Sequence, residues 1–229
     1  MLLTTRTCVL LLLVSPAFSQ PGSPEAVLAR MDKAAARFQG MSAQVEHVTH
    51  TAVINDDSKE SGSVKWRKVG TSQIQGLLDF TAPDHKIFLF KDRKLQIYTP
   101  SSNTVQVLDL SQYKGEIEQF LMTGFGTPRS EMERAYQITA KDRPVIGGRP
   151  TTRLELIPRS PEALKRLTRM ELWIPDDVDY PIQEKLYQPS GDSNTWIYTD
   201  VRINPAPPLK DSDLKLNLPK SVQYVYPQK

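Results

Sequence analysis

Apolar side chains recur along this chain at two periods, and the change between them marks out its elements. Leu28, Met31, Ala35 and Phe38 follow at spacings of three, four and three, which places them on one stripe of a helix. Ser23-Pro24 supplies a cap with proline at the first helical position, and Gly40 stands where the helix would stop. From Gln44 onward the period shortens to that of strands, over 44–54, 62–69, 72–81, 86–90, 95–99 and 104–110. The links between these runs are short and turn-forming: Asn55-Asp56-Asp57, Val69-Gly70-Thr71, Pro83-Asp84, Asp92-Arg93 and Pro100-Ser101-Ser102-Asn103. Successive antiparallel hairpins are the economical topology for such a run.

The middle of the chain interrupts the strands. Ser111 can cap a helical segment with Ile117, Phe120 and Leu121 on one face, ended by Gly124, and Thr127-Pro128 opens a second short helix to about Ala135. Strands resume over 136–141, 152–157, 169–174, 182–188, 194–203 and 214–218, with one helical turn capped by Ser160-Pro161 and a Pro-rich surface connection over 204–208. Ile87-Phe88-Leu89-Phe90 is apolar on both faces, so neither face of that strand is open to water. A curved antiparallel sheet with helices packed in its concave side meets this requirement, as does a closed barrel around a ligand.

The first residues change the picture of where this sheet resides. Arg6 precedes an apolar run from Val9 to Val14, and Ala17-Phe18-Ser19 presents small residues where a signal peptidase reads, so we expect export, with cleavage near Ser19/Gln20. The run is shorter than the roughly 20 apolar residues a spanning helix needs. The only cysteine, Cys8, lies inside this segment, so neither a disulfide nor a lipid anchor is expected after cleavage. Residues 20–229 are expected to form a single domain.

Charge and candidate chemistry narrow the function by elimination. The net charge of +3 is spread over interspersed acids and bases, which gives no basic stripe of the kind a nucleic acid needs. His47 and His50 are three apart on a strand and point to opposite faces, so they do not form a metal pair. Gly124-Phe125-Gly126 lacks the preceding strand of a phosphate-binding loop and reads as a hinge between helices. With no Gly-x-Ser-x-Gly elbow and no cysteine past the signal segment, we expect a protein that is not an enzyme and uses no metal or cofactor. What remains is an apolar surplus: Trp66, Phe80, Phe88, Leu89, Phe90, Trp173 and Trp196 on strands, and Phe120, Leu121, Met122 and Phe125 on the central helical segment. These are the candidate cavity and lid residues.

Three passages resemble one family. Gly62 to Lys68 (GSVKWRK) has its glycine, aromatic and basic residues; Asp79-Phe80-Thr81-Ala82-Pro83 with IFLFKDRKLQIYTP, Ile87 to Pro100, is similar to its strand–turn–strand–Tyr-x-Pro unit. Tyr180-Pro181-Ile182, the 194–203 strand and the closing run from Leu214 to Val222 are similar to its C-terminal hairpins and final Pro-x-x-Val strand. The family is the LolA-like lipoprotein-sorting superfamily of periplasmic outer-membrane lipoprotein carriers. The chain departs from it at the turn Lys91-Asp92-Arg93, where Asp-Gly is usual.

The resemblance implies a mainly β (α+β) fold, a curved antiparallel unclosed β-barrel of about 11 strands, with an N-terminal helix and mid-chain helices covering its concave face. It implies a monomer that binds the acyl chains of lipoproteins or other lipids and shuttles them through the periplasm from an inner-membrane lipoprotein-release complex to an outer-membrane acceptor. A basic residue at the end of the early strand latches the lid in the family, and Arg67 and Lys68 both qualify here. The alternative is a periplasmic lipid or lipoprotein sensor that regulates a membrane-bound signalling partner.

Overall fold

The computed structural model describes residues 23–70, 73–113 and 121–227. Helix α1 (Pro24–Arg37) begins where expected, with the Ser23 hydroxyl accepting from the Ala26 N–H at 3.2 Å. Among the described residues thirteen strands follow: β1 (Gly40–Thr51), β2 (Asp56–Val69), β3 (Gln73–Ala82), β4 (Lys86–Lys91), β5 (Lys94–Thr99), β6 (Thr104–Asp109), β7 (Tyr136–Ala140), β8 (Val145–Ile146), β9 (Arg149–Pro158), β10 (Arg169–Pro175), β11 (Gln183–Tyr187), β12 (Ser193–Ile203) and β13 (Gln223–Val225). Helix α2 (Arg129–Ala135) enters β7, and the short α3 (Pro161–Leu164) lies between β9 and β10.

The strands form one sheet in the order β13-β6-β5-β4-β3-β2-β1-β12-β11-β10-β9-β7, with β8 paired to β9 alongside. Both halves of the chain are meanders, joined where β1 pairs with β12, and the order ends in two edges, so the barrel is not closed. Helices α1 and α2 cover one half of the inner face. Val27, Leu28, Met31 and Met132 from the helices form a single cluster with Leu154, Leu156, Met170, Leu172 and Ile174 from β9 and β10, all nearly inaccessible to solvent. Arg30 fixes α1 by donating to the carbonyls of Asp176 and Val178, and Asp32 accepts the Arg129 N–H, tying α1 to α2.

Several boundaries differ from the sequence expectation. The first hairpin is longer: Asp56 and Asp57 belong to β2, opposite Thr51 and His50, and the turn is Ala52–Asn55 with Asn55 left-handed at φ 49°. Ladder pairing and the 2.8 Å hydrogen bond between His50 and Asp57 override the turn preference of the two aspartates. Leu214 to Leu218 is not a strand. Burial alternates along it, with Leu214 only 1% exposed, but it pairs with no described strand; the sheet edge is taken by β13, parallel to β6. A segment laid flat on a sheet shows the same period of two as a strand within one. The helix expected from Ser111 is described only as a 3-10 turn over Ser111–Tyr113 and again at Leu121 and Met122; Ile117 and Phe120 fall outside the described residues.

The turn that departs from Asp-Gly keeps the same geometry. Asp92 and Arg93 both have positive φ, 53° and 57°, between the paired Lys91 and Lys94, as a two-residue hairpin of the I′ kind demands.

Candidate functional site

The register of the sheet builds a continuous apolar wall on the inner face. Met41, Trp66, Gly76 and Phe90 stand side by side across β1 to β4, and Ala43, Val64, Leu78 and Phe88 form the next row. Val45, Gly62 and Phe80 form the third, continued on the other side of β1 by Tyr198, while Trp196 stands opposite His47. The glycine at 76 is there because the Trp66 ring lies over it: a Cβ would stand 1.7 Å from that ring. Phe80 meets Phe88 edge-on at 5.9 Å, and His47 stacks on Trp196 at 4.0 Å.

Residues 121–127 cover this wall. Met122 and Phe125 are buried in one cluster with Phe38, Phe80 and Phe90, and Leu121 packs against it. Phe125 stands edge-on to Tyr198 at 5.2 Å and stacks with Tyr180 at 6.3 Å. The cover bends at Gly124, φ 91°, a conformation that disfavours any side chain.

The structure therefore brings Trp66, Phe80, Phe88, Phe90 and Trp196 of the sheet together with Leu121, Met122 and Phe125 of the cover. Leu89 and Trp173 are buried on the opposite, outer face, since each alternates with inward neighbours. Trp173 lies there beneath the Arg153 guanidinium, and Arg153 pairs with the buried Glu171, which also accepts from the Tyr187 hydroxyl at 3.0 Å. Arg67 also points outward. It donates to Gln75, to the Leu209 carbonyl and to Asp211, so it holds the C-terminal segment against the sheet. Lys68 donates its backbone N–H to the Gln39 carbonyl and lines a cleft of about 540 Å³ with Phe38, Asn204 and Pro205 at one end of the barrel.

The site also contains polar groups that sequence reasoning missed. Glu184 lies on the inner face of β11, between Leu172 of β10 and Trp196 of β12. Its Oε2 accepts from the Tyr198 hydroxyl at 3.4 Å, and its Oε1 is buried with no partner. Burial pushes this carboxyl up from 4.5 to about 8, tempered by the hydrogen bond from Tyr198. Burial and the nearby Glu184 push Tyr198 well above its usual range. Tyr136, bonded to Thr123 of the cover, is raised by burial as well. The signal was present in the sequence: an acid interrupts the inward series Ile182, Glu184, Leu186.

The two histidines of β1 go separate ways, His47 inward to Glu60 and Asn194, His50 to Asp57. Among the described residues no group of three His, Cys, Asp or Glu is placed to hold a metal ion, and no helix is long and apolar enough to cross a membrane.

No protein-family model and no curated protein matches this chain. Solved structures do match, at low identity. An uncharacterized conserved protein from Thermus thermophilus superposes with a TM-score of 0.52 and 13% identity over 88% of this chain and 98% of its own. MucB gives 0.51 and 15% over 86% of this chain, which spans 64% of the MucB chain. A LolA superfamily protein from Nitrosomonas europaea gives 0.40 and 15% over 85% and 98%. The order of strands and helices gives the unclosed barrel with helices laid over its inner face that was expected from the sequence, an architecture shared with MucB.

Proposed function

We propose that this protein binds the acyl chains of lipoproteins or other lipids between the inner sheet wall and the cover at 121–127, and carries them through the periplasm. The observation that supports this most is the single apolar cluster shared by Phe80 and Phe90 of the wall and Met122 and Phe125 of the cover. A cover that packs on the wall through Met122 and Phe125 and bends at Gly124 can lift without disturbing the ladder. An acyl chain would then replace Phe125 and Met122 against the wall. Each methylene so buried contributes about 0.8 kcal/mol, the term that keeps such chains in membranes unless a protein replaces them. Loading at an inner-membrane release complex and delivery to an outer-membrane acceptor follow from this reading, as does removal of the segment before Gln20. No covalent step is involved.

The test is displacement of a dansyl-labelled fatty acid from the purified protein. Wild type binds and brightens the probe, and Phe125→Glu, folded by circular dichroism, does not. Absence of binding by wild type would end the carrier reading.

One observation favours a second reading. MucB, which shares the fold, is solved in complex with MucA(peri). A sensor that releases a membrane-bound regulator when lipid lifts the cover would use the same wall, and capture of such a regulator by the lipid-free protein alone would favour it.

A further inference from the structure

An apolar wall for a hydrocarbon chain has no use for a carboxyl with a buried, unpartnered oxygen, and Glu184 is one. Its Oε1 lies beneath the cover, and a Cβ added at Gly124 would stand 3.3 Å from it. The bare backbone at 124 lies over this oxygen and over Pro181, whose Cγ would stand 2.9 Å from the same Cβ. A second buried oxygen without a partner, Thr127 Oγ1, belongs to the same cover. Buried polar atoms are almost always satisfied, so the unpartnered Glu184 Oε1 marks a place for a polar ligand atom.

We propose that Glu184 is the polar end of the lipid site: its Oε1, as the hydroxyl of a neutral carboxyl, donates a hydrogen bond to the carbonyl oxygen of an acyl ester or amide. This rests on the acyl-binding reading above. Because Oε2 accepts from Tyr198, the proton falls to Oε1, which lies under the cover at Gly124. The chain beyond the carbonyl would then run along Trp196, Phe80 and Phe88.

Groups from several packed elements face Glu184. Tyr198 from β12 and Tyr136 from β7 are both held protonated, and β10 contributes Leu172. The cover places the Gly124 backbone over it, and α1 turns Val27, Leu28, Met31 and Ala35 towards the same inner face. His47 lies behind the Trp196 ring, engaged by Glu60 and Asn194.

The experiment compares methyl dodecanoate with dodecyl methyl ether, equal in chain but only the first bearing a carbonyl, as competitors for N-phenylnaphthylamine on the delipidated full chain. Wild type is expected to prefer the ester roughly fivefold to tenfold at about pH 6, with the preference fading above about pH 8 as the donor ionises. Glu184→Leu erases the preference. Glu184→Gln, whose amide still donates, keeps part of it at both pH values and serves where the leucine variant does not fold. Equal affinities in wild type, or a preference that survives Glu184→Leu, would overturn the anchor while leaving acyl binding intact. Failure of both competitors to displace the probe would remove the acyl reading and the anchor with it.

Discussion

Replacing Glu184 by glutamine should change how stability depends on pH, and the size of the change follows from the carboxyl's displacement. It ionises near 4.5 when exposed and near 8 in the fold. Between those values the folded protein holds a proton that the unfolded chain has lost. Stability therefore falls with rising pH, by about 1.4 kcal/mol per unit. The contribution of the neutral carboxyl is complete below about pH 4.5 and exhausted above about pH 8, a span of about 5 kcal/mol at most. Water reaching the half-buried side chain reduces it, and a span of about 2–3 kcal/mol is the working expectation. Glutamine removes the titration and leaves a constant offset from its own buried amide. Urea denaturation followed by tryptophan fluorescence at about pH 5.5, 7 and 8.5 reads this out, with the difference between variant and wild type as the observable. The variant should gain on wild type at each step upward. Parallel profiles would show that the carboxyl is ionised throughout, and the neutral Glu184 would have to be given up.

Other consequences are simpler. Arg93→Gly relieves a left-handed arginine in the β4–β5 turn and should raise stability by roughly 0.5–1 kcal/mol in the same denaturation assay. Gly76→Ala drives a methyl group into the Trp66 ring and should lower stability by about 2 kcal/mol or more, with a shift in the emission of that tryptophan. Arg67→Ala removes the donor to the Leu209 carbonyl and Gln75 and should expose the segment after Leu209 to limited proteolysis; the ion pair with Asp211, itself 75% exposed, accounts for little of that. An unchanged cleavage pattern would show that Leu214 and the β13–β6 pairing hold the segment without Arg67.

The fold was legible because strand period and turn chemistry agree along most of the chain. The β4–β5 hairpin shows this: its doubly apolar strand announced covers on both faces, and the structure supplies them as the inner cluster around Phe88 and Phe90 and an outer face where Leu89 is buried. Which face a residue takes was not legible for such a strand, so Leu89 and Trp173 read as cavity candidates although their register turns them outward. The closing run misled for a related reason, since alternation reports burial of one side and says nothing of ladder partners. Arg67 shows the limit for charged groups: whether a cation holds a lid or a tail depends on where remote segments come to lie. Glu184 was hidden by habit rather than by physics, because an acid in an inward strand position is read as a surface residue until the covering helix is placed over it.

Native mass spectrometry of the protein purified from its own cells would decide whether the space between wall and cover holds acyl chains. Adducts with the masses of acyl lipids or lipidated protein are expected, retained by wild type and lost from Phe125→Glu. Wild type free of adducts that also takes none up from an added lipid extract, or adducts indifferent to Phe125→Glu, would rule acyl binding at this site out.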